Sequence, residues 1–180
     1  MTGATCTGRL MMSSDSRASA RRRLRSCSKA GKRPEIFHCY DWQTALVPVL
    51  LYEIYQHIGM GDQRVCFAAH NFGHQGITGE SILWATGLCN PGRFFIQERS
   101  RDDLNPATLN LMKGGIVYSN FVTTVSPGHA WEVCNSDQGR GLEHILYTHR
   151  HKFGGVLNGV DYEAWNPEVD PWIPQRYGPD

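Results

Sequence analysis

Short apolar runs that stop at polar clusters are the main pattern along this chain. The clearest run, at residues 65–69, ends at His70 and Asn71 and passes into a loop that carries glycines at 73 and 76. A run this short between loop signals is typical of a strand buried on both faces. Further short runs of this kind lie at 36–39, 121–125 and 155–157. The pattern therefore predicts four buried strands.

Helical periodicity fills the intervals between these strands. Asp41 is a suitable N-cap, and apolar residues recur at helical spacing over 42–54, with a kink expected at Pro48. Glycines at 59 and 61 end this helix just before the second strand, which gives a parallel βαβ unit. Further helices are expected over 79–88, 107–118, 127–134 and 142–149. The predicted fold class is α/β, with a Rossmann-like parallel sheet.

Each predicted strand runs directly into hydrogen-bonding residues. Asp41 follows the first strand, His70 and Asn71 the second, Ser126 the third and Asn158 the fourth. Parallel strands bring their carboxyl ends to one edge of the sheet, where open α/β sheets bind ligands. Ser126 is adequately explained as a helix N-cap before Pro127. The others are candidate site residues, although local hydrogen bonding alone could explain His70 and Asn71.

Composition divides the chain into two unlike parts. Residues 1–33 hold nine of the 18 Lys and Arg against one acidic residue, a charge of +8 that leaves −7 for the remainder. Few apolar residues occur in this segment, so it is expected to be disordered. It would be a transit peptide, a solvated tail, or sequence that does not belong to the domain. We expect the folded domain over 34–170 and an exit segment over 171–180. A basic nucleic-acid arm is disfavoured, because the remainder offers no matching basic surface.

Several function classes lack their sequence signals. The six cysteines show no CxxC and no regular spacing, which favours a reducing compartment, and the longest apolar run is too short to span a membrane. His70 and His74 lie in a stretch that Gly73 and Gly76 mark as a loop rather than a helix face, so no metal site is predicted. Neither a Gly-x-Ser-x-Gly elbow nor a dinucleotide-binding glycine pattern is present. Neutral and carboxylate groups at a sheet edge remain, and these are groups that bind sugars.

Four stretches carry a resemblance to a known family. They are His38-Cys39-Tyr40-Asp41-Trp42-Gln43-Thr44-Ala45, His70-Asn71-Phe72-Gly73-His74-Gln75-Gly76, Asn110-Leu111-Met112-Lys113-Gly114-Gly115-Ile116 with Val125-Ser126-Pro127-Gly128, and Val156-Leu157-Asn158-Gly159-Val160-Asp161 with Trp165-Asn166-Pro167. In this order they resemble the N-terminal catalytic domain of the starch synthases and bacterial glycogen synthases. Within that family the chain is most similar to soluble plant and algal starch synthases of classes III and IV.

The resemblance implies a fold, a reaction and a set of site residues. It implies the N-terminal half of a GT-B glycosyltransferase that transfers glucose from ADP-glucose to the non-reducing end of an α-1,4-glucan, with retention and without metal or cofactor. The implied catalytic residues are His70 and Asp41, with Asn71, Gln75 and Asn158 binding substrate. His70 would lie beside the anomeric carbon, where fixed dipoles stabilise an oxocarbenium-like state.

Departures from the family limit these expectations. The Lys-Thr-Gly-Gly-Leu phosphate loop and the entire second domain have no counterpart in the sequence, and Tyr40 stands where the family has His. We therefore expect a fragment that is inactive alone, from the plastid stroma, or from the cytoplasm if it is bacterial. The alternatives are a catalytically inactive glucan-binding scaffold and a GT-B enzyme that uses another nucleotide sugar.

Overall fold

A four-stranded parallel sheet forms the centre of the protein. The structure, a computed structural model, describes residues 16–31, 33–88 and 90–178. Its strands are β1 (Ile36–Tyr40), β2 (Arg64–Ala68), β3 (Ile77–Thr78), β4 (Leu109–Asn110), β5 (Phe121–Thr124) and β6 (Phe153–Gly155). The order β1-β2-β5-β6 makes the main sheet, while β3 and β4 form a small antiparallel pair. The four predicted strands and their parallel arrangement are confirmed.

Helices connect these strands throughout the described part of the chain. They are α1 (Ser16–Lys29), α2 (Asp41–Thr44), α3 (Leu46–Glu53), α4 (Ser81–Thr86), α5 (Leu111–Tyr118), α6 (Pro127–Asn135) and α7 (Glu143–Thr148). Short 3₁₀ turns lie at Tyr55–Ile58, Pro91–Arg93, Asp137–Gly139 and Arg150–Lys152. No described helix is long and apolar enough to cross a membrane.

Among the described residues, the main core lies on one face of the sheet. Strand order in the main sheet follows chain order, so right-handed crossovers carry the connections over the same face. That face buries Cys39, Phe67 and Val122, whereas the opposite face leaves Ile36 and Phe121 exposed. On the opposite face of β2, Arg64 is exposed, Cys66 is half-buried and Ala68 is buried, so the predicted burial of this strand on both faces holds only at its carboxyl end.

Helix α1 is found within the segment 1–33, where disorder was expected. Ala20 and Leu24 are buried on the surfaces of α3 and α4, and the Tyr55 hydroxyl donates to the Arg21 carbonyl at 3.2 Å. Two apolar side chains four residues apart form a stripe that docks on an existing core. Composition alone misses this because it counts apolar residues without their spacing. Residues 1–15 lie outside the described residues, and the boundaries at 34–170 and 171–180 stay predictions.

The first long helix is interrupted near Pro48. α2 ends at Thr44 and α3 begins at Leu46, because the proline has no N–H to donate to the Thr44 carbonyl. The expected kink is confirmed. Asp41 is not the N-cap, which is Tyr40; Asp41 is the first residue of α2 and has a left-handed φ of 55°.

The remaining boundaries shift by a few residues. The helix expected over 107–118 begins at Leu111, because residues 109–110 pair with β3. The last strand lies at Phe153–Gly155 rather than 155–157, and a Cβ on Gly155 would lie 2.1 Å from the Ser126 carbonyl. Glycine is therefore required where β6 meets the start of α6. Ser126 caps α6 as predicted, accepting from the His129 amide at 3.0 Å.

Candidate active site at the carboxyl edge of the sheet

An open groove of about 360 Å³ lies on the face opposite the main core, at the carboxyl ends of the strands. It brings His70 and Asn158 together, although they are 88 positions apart in the chain. Strand and edge residues line it: His38, Tyr40, Cys66, Ala68, His70, Phe121, Thr123, Thr124, Val125, Val156, Leu157 and Asn158. Asp41, Asn71 and Gln75 are outside this lining, so the groove collects two of the five predicted site residues.

Asp41 acts on the backbone of His70. Its Oδ1 accepts a hydrogen bond from the His70 amide at 2.7 Å and a longer one from the Asn71 amide at 3.4 Å. The left-handed φ of Asp41 puts a residue other than glycine in a costly conformation. Asp41 therefore fixes the position at which β2 passes into the His70 loop.

The Tyr40 ring lies between His70 and His38 in a chain of ring contacts. The Tyr40 ring lies 5.8 Å from the His70 ring and 4.4 Å from the His38 ring, centroid to centroid. The Tyr40 hydroxyl and His38 Nδ1 are 3.0 Å apart and share a hydrogen bond. Burial, with a smaller contribution from His70, lowers the pKa of His38. A neutral His38 beside a half-exposed tyrosine gives the groove a sugar-compatible, uncharged wall.

Asn71 shapes the loop that follows His70. Its Oδ1 accepts from the Gly73 amide at 2.8 Å and closes a local turn. The Asn71 side chain is exposed, and Phe72, next to it, is buried. The local hydrogen bond explains the Asn71 position without a ligand, so its substrate contact stays a prediction.

Asn158 reaches the groove from the opposite side. Val156 donates to the Thr124 carbonyl at 2.8 Å, and beyond that point the chain is exposed, with Leu157 at 72% and Val160 at 57%. The sequence predicted both the position of Asn158 after the last strand and its convergence with His70, and both are found.

A buried polar cluster behind the loop has no counterpart in the sequence prediction. Asn110 is 1% exposed and donates from Nδ2 to Gln75 Oε1 and to Asp102 Oδ2. The fully buried Lys113 pairs with Asp103 at 2.7 Å. The sequence signal for this cluster was the pair Asn110 and Lys113 within an apolar helix pattern. Polar and charged side chains are buried only where they have hydrogen-bond or ion-pair partners, so the pair indicated partners elsewhere in the fold.

No three His, Cys, Asp or Glu side chains among the described residues converge on a metal position. Cys39 is buried, and burial raises the pKa of its thiol to about 12, which keeps it protonated and unreactive. Cys39 thus behaves as the small hydrophobe that the sequence predicted.

The fold and the groove together indicate a general class of protein. A parallel Rossmann-like sheet with imidazole and amide groups at its carboxyl edge is a ligand-binding α/β domain. The starch synthase catalytic domain model matches residues 14–148, so this chain belongs to that family. The match begins two residues before α1 and includes every predicted site residue except Asn158.

The sequence identity to two named glycogen synthases supports this assignment. The chain is 64% identical over 149 residues to glycogen synthase 1 of Synechococcus sp. (strain JA-2-3B'a(2-13)), covering 83% of this chain and 30% of that protein. It is 60% identical over 152 residues to glycogen synthase 2 of Methylococcus capsulatus, covering 84% of this chain and 31% of that protein. The chain thus spans about a third of the length of these relatives.

A solved structure confirms the fold class. The catalytic domain of starch synthase IV from Arabidopsis thaliana, bound to ADP and acarbose, matches with a TM-score of 0.78 and 36% identity. The match covers 95% of this chain and 35% of that one. The four-stranded parallel sheet corresponds to the N-terminal domain of a GT-B glycosyltransferase, as the sequence resemblance implied.

Proposed function

We propose that this chain supplies one wall of the active site of a starch or glycogen synthase. That enzyme transfers glucose from ADP-glucose to the non-reducing end of an α-1,4-glucan with retention. The observation that carries the proposal is 64% identity to a glycogen synthase across the segment that contains Asp41 and His70. The ADP bound in the Arabidopsis relative supports an adenine nucleotide as the leaving group.

In this proposal His70 serves the transition state. Its imidazole or its carbonyl faces the anomeric carbon and stabilises the positive charge that develops there. Asp41 holds the His70 amide at 2.7 Å, so the position of His70 is set before the sugar arrives. Asn71 and Asn158 bind hydroxyl groups of the sugars. No metal or cofactor is required by this scheme.

The isolated chain is proposed to be inactive. GT-B catalysis takes place between two domains, and a single wall lacks the contacts that stabilise the diphosphate leaving group. A glucan-binding scaffold without activity and a GT-B enzyme with another nucleotide sugar are the alternatives. The bacterial relatives support a cytoplasmic enzyme rather than the plastid stroma.

A chimera tests the proposed reaction. The matched segment of the Synechococcus glycogen synthase is replaced by residues of this chain, and incorporation of labelled glucose from ADP-glucose into glycogen is measured. We expect transfer by the chimera and none by the 180-residue chain alone. A folded chimera that binds glucan without transfer would favour the scaffold, and a preference for another nucleotide sugar would favour the second alternative.

A further inference from the structure

The loop that carries His70 is anchored by a pair of side-chain amides, those of the half-buried Gln75 and the buried Asn110. Gln75 Nε2 donates to the Phe72 carbonyl at 2.9 Å, inside the loop, and to the Arg140 carbonyl at 3.0 Å, in a separate turn. Gln75 Oε1 accepts from Asn110 Nδ2. Both ends of the Gln75 amide are therefore engaged by the protein.

Asn110 connects this glutamine to the rest of the core. Its Nδ2 also donates to Asp102 at 3.1 Å, and its Oδ1 accepts from the Lys113 amide at 3.0 Å, which caps α5. The Asp102 carboxylate in turn accepts from the amides of Leu104 and Asn105. Asn110 and Asp102 are 1% and 5% exposed, so solvent does not replace a lost partner.

The start of α5 binds the same loop through its backbone. The Met112 amide donates to the Gln75 carbonyl at 3.0 Å, and the Leu111 amide donates to the Gly76 carbonyl at 3.4 Å. One end of the loop is thus fixed to α5, while its other end is fixed by Asp41 at the His70 amide. The loop between these two anchors is short and has little conformational freedom.

We infer that Asn110 and Gln75 are positioning residues for His70, and that Gln75 acts through the protein rather than by binding substrate. The two amides form a clamp that sets where the loop, and hence His70, lies in the groove. This inference rests on the proposed function, in which His70 faces the transferred sugar. It assigns a role to Asn110, which never touches the groove itself.

The Asn110→Asp variant separates the clamp from the helix cap. A carboxylate still accepts from the Lys113 amide, but it cannot donate to Gln75 and it opposes the Asp102 carboxylate. Gln75→Ala removes the clamp from the other side and leaves the cap intact. Asn120→Ala is the matched control, because Asn120 Oδ1 also accepts a backbone hydrogen bond, from Val65 at the far end of β2.

The test is residue-resolved amide hydrogen exchange by NMR on the 180-residue chain, with thermal melting of each variant. We expect the His70 and Gly73 amides to exchange at least about tenfold faster in Asn110→Asp and Gln75→Ala than in the control, while the β5 amides exchange alike. If Asn110→Asp does not fold, the exchange rates of the loop amides in Gln75→Ala test the inference.

A purely structural role would overturn the inference. In that case amide exchange would become faster evenly along the chain, in step with the drop in melting temperature. Alternatively, the loop amides would exchange no faster in the two variants than in Asn120→Ala. Exchange is measured without sugar or nucleotide, so failure here is distinct from failure of the chimera to transfer glucose.

Discussion

The two sides of the groove are built in different ways. On the β2 side, the Asp41 carboxylate accepts from the His70 amide, and the Ala69 amide donates to the Thr123 carbonyl at 2.8 Å. The same loop is tied to the buried Asn110 through Gln75. On the β6 side, Asn158 follows the last strand on an exposed extension. The first side is fixed by several segments distant in sequence, whereas the second is held by the pairing of β6 and Val156 with β5.

This difference bears on what each side can contribute to catalysis. A group that stabilises a transition state must already be in place when charge develops, because reorganisation at that moment costs free energy. His70 meets this condition and Asn158 meets it less well. We therefore expect the β2 side to affect turnover and the β6 side to affect binding.

The largest expected effect comes from His70→Ala in the chimera. Turnover should fall by about 10²–10³-fold, about 3–4 kcal/mol, with a small change in the KM for ADP-glucose. Asn158→Ala is the comparison, and it should raise the KM for glucan more than it lowers turnover. Steady-state kinetics on both variants measure the split.

Two results would contradict the expected difference between the two sides of the groove. A mild loss in His70→Ala would assign the role to the backbone carbonyl, which alanine retains. Unchanged turnover per folded molecule with a lower melting temperature would make His70 a structural residue and remove it from the site.

A pair of glycines tests the rigidity of the two sides. Gly76 has a φ of +67°, and a Cβ there would lie 2.6 Å from the Trp42 ring. Gly76→Ala should therefore destabilise the chain by about 2 kcal/mol or more, through strain and overpacking. Gly159, on the β6 side, has nothing within 4 Å of an added Cβ, and Gly159→Ala should change stability by less than about 0.5 kcal/mol. Urea unfolding measures both, and equal effects would contradict the contrast.

The smallest expected effect is a pH dependence near β6. Burial, with smaller contributions from Lys152 and His151, lowers the pKa of His149 to about 4 from its ordinary 6.5. The unfolded chain then binds more protons than the folded one between these values, so stability is full above pH 6.5 and falls as the pH drops toward 4. His149 is partly exposed, and solvent screening limits the loss to about 1 kcal/mol.

Melting curves between pH 7.5 and 4.5 check this expectation. His149→Gln should flatten the pH dependence, and the same change at the exposed His144 should leave it as it was. An unaltered slope in His149→Gln would place the titrating group elsewhere.

Sequence alone determined the four strands of the main sheet, their parallel arrangement and the meeting of His70 with Asn158. Each follows from local rules: short apolar runs make strands, and parallel strands share a carboxyl edge. The Ser126 cap and the break near Pro48 are local in the same sense, since a hydroxyl acceptor and a missing N–H act within four residues.

Tertiary structure decided what each polar side chain binds. Asp41 was expected to cap its own helix, yet its carboxylate serves the His70 amide, 29 positions away. Gln75 meets Asn110 and the Arg140 carbonyl across still longer separations, and Ala20 with Leu24 gain their burial from α3 and α4. Sequence patterns report spacing along the chain. The partner of a buried polar group is chosen by proximity in the folded core, where leaving it unpaired costs most.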